Sequence, residues 1–148
     1  MKNGVDHIGI SVVYCCHDGK GKILLAKRTD SCRDEHNRWD IGGGGVDFGE
    51  TIEAALRREI KEEYNAEVLK FEFLGYRDVF REVDGVKTHW LPLDFKVLID
   101  PATVHNNEPD KHSELRWSTK DTLPDPLHSQ LPFFLEKYAD KIWTNNQD

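Results

Sequence analysis

The sequence lacks the features that would place it in several large classes of protein. It has three cysteines, Cys15, Cys16 and Cys32, an odd number without the spacing of a disulfide framework. That excludes a cystine-stapled scaffold and points to a reducing, cytoplasmic setting. No apolar stretch approaches the ~18 residues of a membrane helix, and the opening MKNGVDHIGI has no signal-peptide pattern. Positive charge is in deficit: 20 Lys and Arg against 27 Asp and Glu leave a formal net charge of −7. A duplex nucleic-acid binder carries a basic face, so this balance argues against that class and leaves small phosphorylated ligands open, provided cations accompany them. Internal repeats and low-complexity tracts are absent as well. What remains is a chain of 148 residues, long enough to bury ~70% of its unfolded surface, and we expect a single domain over 1–148.

Apolar and β-branched runs over His7–Cys16 and Lys22–Arg28 predict two strands around a turn at His17–Gly21. A polar loop, Thr29–Arg38, and a short extended piece, Trp39–Val46, follow. The clearest helix runs from Thr51, a good N-cap, to Tyr64, with Asn65 as a left-handed stop. Two long β segments come next, Val68–Val83 and Lys87–Ile99, the first with an uneven alternation that calls for a bend. Beyond the polar stretch Asp100–Ser113 we expect a short strand at Glu114–Trp117 and a last helix over about 127–142, with Pro132 near its start. The tail NNQD should fray. Strands that bracket a central helix and end on another predict an α/β fold, an α/β/α sandwich around a mixed sheet.

Two neighbouring features bear chemistry. GGGGVDFGET, from Gly42 to Thr51, is a glycine-rich loop entering a helix, an arrangement that lets backbone amides approach phosphate. The position where a phosphate loop carries lysine is Glu50, which repels phosphate. The helix that follows carries more acids. Advancing ~100° per residue, Glu63 lies at about 40° and Glu62 at about −60° from Glu59, so three carboxylates share one arc. Leu56, Ile60 and Tyr64 form the core-facing stripe beside it. Like charges at these spacings cost a few tenths of a kcal/mol per pair. With Mg²⁺ or Mn²⁺ the same face becomes a half-built oxygen site, and the metal can carry the phosphate. The competing reading is an ordinary solvated helix face.

This stretch resembles the Nudix hydrolase family, of the MutT-like type, whose box reads G-x5-E-x7-R-E-U-x-E-E-x-G-U with U a bulky apolar residue. Here the box occupies 44–66, with Gly44, Glu50, Arg58, Glu59, Ile60, Glu62 and Glu63 in place, and departures at Asn65 and Ala66. Just upstream, Trp39 to Gly44 resembles the family's W-x-U-P-G-G, with Gly42 at the proline position. The resemblance implies the family's sandwich and a Mg²⁺-dependent (or Mn²⁺-dependent) pyrophosphohydrolase acting on a small-molecule nucleotide. Carried over by position, Glu59, Glu62, Glu63 and the Gly43 carbonyl would ligate metal, and Arg58 would orient the acids through an ion pair with Glu50, with Gly44 supporting the site. The general base would be Glu59 or an acid on the later loop, Glu108 or Glu114.

The resemblance leaves the substrate open. A subgroup acting on ADP-ribose carries a proline a short way beyond the box, and none occurs here before Pro92. This favours a nucleoside triphosphate, cleaved to monophosphate and pyrophosphate, over ADP-ribose or a nucleotide sugar. Phe48, Phe80, Trp90 and Trp117 are candidates to stack on a base, Phe48 and Trp90 foremost, against a competing role in core packing. A nucleotide sensor without catalysis would be expected to lose box carboxylates, and none is lost. Whether two copies pair as a homodimer is open. Cys15-Cys16-His17 does not suit zinc, because strand neighbours face opposite ways.

Overall fold

The computed structural model describes residues 1–144, so the expected fraying of NNQD lies outside the described residues. The strands are β1 (Gly9–His17), β2 (Ile23–Arg28), β3 (Trp39–Asp40), β4 (Gly42–Gly45), β5 (Val68–Tyr76), β6 (Val79–Val83), β7 (Val86–Ile99) and β8 (His112–Ser118). The helices are α1 (Ile52–Tyr64), α2 (Leu131–Lys137) and α3 (Ala139–Ile142). One mixed sheet runs β3-β2-β1-β7-β5, with β4 on β1, β6 on β7 and β8 on β2. The pairing of β1 with β7 is parallel and the others are antiparallel.

Both faces of β1 are covered, which is why its sequence is apolar without a polar alternate. Val12, Tyr14 and Cys16 face α1, where they meet Leu56, Ile60 and Tyr64. Val13 and Cys15 face the other way, toward Leu131, Phe134, Tyr138 and Ile142 of the carboxyl-terminal helices. The result is an α/β/α sandwich. Burial pushes the Cys15 thiol up to about 12 and that of Cys16 well above its ordinary range, so both are inert core residues. Thr51 caps α1 by accepting from the Ala54 N–H at 3.1 Å, and Asn65 closes it at φ 59°.

Several expected boundaries differ. The segment Val68–Val83 is two strands, broken where Arg77 turns inward to the buried Asp94. The last helix does not begin at Leu127: that residue bridges Trp39, and the His128 N–H donates to the Trp39 carbonyl at 2.8 Å. The helix starts at Leu131, which puts Pro132 in the first turn, where its missing N–H costs nothing. It then breaks at Tyr138 into α2 and α3. No helix among the described residues is long and apolar enough to cross a membrane.

The sheet opens where the site lies. β1 meets β2 only at His17 and Ile23, beside the turn. Farther along, β1 pairs with β4 while β2 pairs with β3 and β8. Residues of β1, β2, β3 and β4 thus line one cavity of about 670 Å³, reached also by α1, β6, β7 and the loops 29–38 and 104–111.

Candidate active site

One wall of the cavity is acidic and stands on α1. Arg58 organises it with a full guanidinium fork. Its Nε and Nη2 donate to the two Glu50 oxygens at 2.6 and 2.9 Å, and Nη1 donates to Glu59 Oε1 at 2.8 Å. Nη1 also reaches Glu62 Oε2 at 3.3 Å, and Nη2 the Gly45 carbonyl at 3.2 Å. The expected Arg58–Glu50 ion pair is therefore formed, and its hydrogen bonds hold Glu50 down at about 2. Gly44 is required by close approach: a Cβ there would lie 2.5 Å from Glu59 Oε1, in the space the carboxyl fills.

Glu59 and Glu63 are crowded acids. Burial raises Glu59 against the pull of Arg58, and the Glu62 and Glu108 charges raise it further. Burial pushes Glu63 up to about 8, with Glu108, Glu59 and Asp40 adding repulsion and the Tyr14 hydroxyl opposing. Tyr14 donates to Glu63 Oε2, while His112 Nε2 lies 3.5 Å from Oε1. His112 is itself kept from charging chiefly by burial, and its Nδ1 is buried without a hydrogen-bond partner among the described residues.

Basic side chains from scattered elements line the same cavity, and together we call them its basic wall. Arg28 of β2 binds Asp34 at 3.1 Å, and Arg81 of β6 binds the other Asp34 oxygen at 2.9 Å. The 29–38 loop reaches these partners through Glu35 and Asn37 at φ 53° and 62°. Arg77 of the β5–β6 link binds Asp94 through two donors at 2.6 and 2.8 Å. Lys111 lies 3.4 Å from Glu108. Arg33 also lines the cavity, with no ion pair or hydrogen bond among the described residues.

The structure brings Gly43, Gly44, Glu59, Glu62, Glu63, Glu108 and Trp90 to this one cavity. Glu114 does not reach it. Instead of standing on a loop, it belongs to β8, opposite Lys27, with an exposed side chain 3.9 Å from Arg116. Phe48 is fully exposed on the loop before α1, in neither core nor cavity. Phe80 is exposed and stacks on His89 at 4.4 Å, and Trp117 packs against the α1-side core. Trp90 is pinned by the amino-terminal segment, since a Cβ at Gly4 or Gly9 would run into its indole. Sequence reasoning missed Tyr14, His112 and the arginine wall. Only glycine at position 42 gave any signal, and that signal pointed at Tyr14.

The acids suit a hard divalent cation in kind: several carboxylates and the glycines of β4 line one cavity. Among the described residues no three acids, histidines or cysteines yet stand at cage spacing, because their oxygens are turned to Arg58, Tyr14 and His112. The raised Glu59 and Glu63 are carboxyls that a cation would relieve.

These features coincide with a known family. The model of the NUDIX domain matches residues 7–138, and the chain belongs to the Nudix family. A stretch of 69 residues is 39% identical to the nucleoside triphosphatase NudI of Salmonella arizonae, spanning 47% of this chain and 48% of that protein. The match thus spans about half the length of this curated relative. The crystal structure of a MutT NUDIX hydrolase from Burkholderia pseudomallei is similar with a TM-score of 0.77 and 29% identity, over 88% of this chain and 98% of that one. The NUDIX domain of Shewanella oneidensis NrtR, solved with ADP ribose, shares the fold with a TM-score of 0.73 at 18% identity, over 92% and 89% of the two chains.

Proposed function

We propose that the protein is a Mg²⁺-dependent pyrophosphohydrolase that cleaves a nucleoside triphosphate to the monophosphate and pyrophosphate. The observation that carries the reading is a single cavity lined both by the acids Glu59, Glu62, Glu63 and Glu108 and by the cationic side chains Arg28, Arg33, Arg77, Arg81 and Lys111. Such a space holds a polyphosphate between cations supplied by the protein and a cation held by its acids. Glu59, Glu62, Glu63 and the Gly43 carbonyl would hold the metal. When bound, it neutralises charge on the phosphate oxygens and makes a water more acidic. The triphosphate is favoured by the likeness to a nucleoside triphosphatase and by the sequence departure from the ADP-ribose pattern.

The chain's own groups then have distinct tasks. Arg58 fixes the carboxylates of Glu50, Glu59 and Glu62 relative to one another. Glu108 takes the proton of the attacking water, with Lys111 beside it to keep the carboxyl oriented. The water oxygen bonds to phosphorus as the bond to the leaving pyrophosphate oxygen breaks, and the arginine wall holds the departing charge. Trp90 provides a fixed apolar wall for the base.

The test is product analysis by ³¹P NMR on nucleoside triphosphates, ADP-ribose, nucleotide sugars and dinucleoside polyphosphates, with and without Mg²⁺, for the wild type and Glu63→Gln. Pyrophosphate from triphosphates, dependent on Mg²⁺ and lost in the variant, is expected. Turnover of ADP-ribose instead would move the substrate class, and tight nucleotide binding with no turnover at all would make the protein a sensor.

A further inference from the structure

The box acids are tied to Arg58 with one exception. Glu63 lies on the inner side of α1, is 6% exposed, and makes no contact with that guanidinium. Its Oε2 accepts from the hydroxyl of Tyr14 on β1, 49 residues away in sequence. Its Oε1 faces His112 of β8. A glutamate has three side-chain torsions, and a buried one is useful as a ligand only if its carboxyl plane is held. Here the holding comes from across the sheet–helix interface.

Tyr14 is itself held. Its ring is wholly buried in the α1-side core and packs edge-on to Tyr64, with centroids 6.0 Å apart and planes at 89°. Below the ring lies Gly42, its partner in the β1–β4 ladder. A Cβ on Gly42 would stand 2.6 Å from Cζ and 2.8 Å from Cδ2 of Tyr14, closer than a real Cβ approaches any neighbour. Gly42 is not among the residues with positive φ, so backbone conformation does not call for glycine here. The ring does.

We propose that Tyr14 is a positioning residue for Glu63: its hydroxyl engages Oε2 and leaves Oε1 as the oxygen offered to a cation, and Gly42 stands where a larger residue would otherwise fit because the tyrosine ring occupies that space. The inference rests on the reading of Glu63 as a cation ligand. It ties two features that otherwise stand apart, the departure from the W-x-U-P-G-G pattern and a buried phenol in an acidic site. An outer partner of this kind changes cation affinity by about 10–100-fold when removed.

The experiment is a titration of Mn²⁺ alone, without nucleotide, followed by the electron paramagnetic resonance signal of the free ion. Tyr14→Phe, which deletes one oxygen and keeps the ring over Gly42, is expected to weaken Mn²⁺ binding by about tenfold. Unchanged Mn²⁺ affinity in Tyr14→Phe, whatever happens to its melting temperature, would overturn the proposal and leave Tyr14 a packing residue. Glu63→Gln in the same titration separates the two ideas. If it too leaves Mn²⁺ binding unchanged, the cation-site reading fails. If it abolishes binding while Tyr14→Phe does not weaken it, only the positioning inference fails. Gly42→Ala should weaken Mn²⁺ binding by moving the ring, and should add little on top of Tyr14→Phe. Full additivity would break the coupling between positions 14 and 42.

Discussion

The two walls of the cavity are built on different principles. Three of the four cavity acids, Glu59, Glu62 and Glu63, stand on a single helix, where a spacing of three or four residues in sequence is a neighbour in space, and Glu108 joins them from the 104–111 loop. The basic wall is assembled from β2, the 29–38 loop, the β5–β6 link, β6 and the 104–111 loop, so its members are neighbours only after folding. On the helix, Glu59 and Glu62 share Arg58 with Glu50, whereas among the basic residues Arg28 and Arg81 share Asp34, Arg77 takes Asp94 and Lys111 lies beside Glu108. A site whose buried acid Glu63 has no arginine partner among the described residues, and whose basic residues are mostly paired, is prepared for a cation first and a polyanion second.

The largest expected effect comes from removing charge on the acidic wall. Glu59→Gln keeps the shape under Gly44 and removes a carboxylate that Arg58 and its neighbours are arranged around. We expect kcat for triphosphate cleavage to fall by about 10³-fold with the melting temperature unchanged or raised, since the wild-type carboxyl is strained by burial. A loss of activity that merely tracks unfolding would place Glu59 in the scaffold.

The opposite pattern, stability lost first, is expected on the basic wall. Asp94 is fully buried and takes both donors of Arg77 as well as the Tyr138 hydroxyl at 2.7 Å. Asp94→Asn leaves the guanidinium without its counter-charge and should cost about 3 kcal/mol in urea unfolding. If the variant unfolds like the wild type, the pair contributes no stability and the contrast between the walls is wrong.

Arg58 tests whether the acidic wall depends on fork geometry or on charge alone. Lysine preserves the charge but cannot bond Glu50, Glu59, Glu62 and the Gly45 carbonyl together. Arg58→Lys should lower kcat/KM by about 10–100-fold. Near-wild-type activity would mean that a point charge suffices.

The same contrast explains what could be read in advance. The box helix, its cap at Thr51, its stop at Asn65 and its acidic arc were legible because all depend on local spacing. The sandwich followed from the order of apolar runs. Tyr14 was not legible as a partner of Glu63, because a tyrosine in an apolar strand reads as core, and it is core as well. In sequence Glu114 groups with the loop acids because it stands at the junction of the polar stretch and the expected strand Glu114–Trp117; in β8 it pairs opposite Lys27 with an exposed side chain and does not line the cavity. Pro132 marked the first turn of α2, but nothing local revealed that Leu127 would bridge to Trp39. Cation identity on the basic wall was hidden for the same reason: five basic residues from five segments share no spacing.

The smallest expected effect is the most discriminating for the basic wall. Arg28, Arg77, Arg81 and Lys111 each have a carboxylate partner, so a phosphate must compete for them. Arg33 faces the same cavity without one among the described residues. A guanidinium with its donors unspent can bind a phosphate oxygen without first breaking an ion pair. Arg33→Ala should therefore raise KM for a triphosphate by about tenfold or less, near 1 kcal/mol, with kcat and the melting temperature unchanged. The effect should shrink as salt rises, because the loop is partly open to water. A fall in kcat at constant KM would instead move Arg33 into the transition state, and with it the boundary between the wall that binds and the wall that reacts.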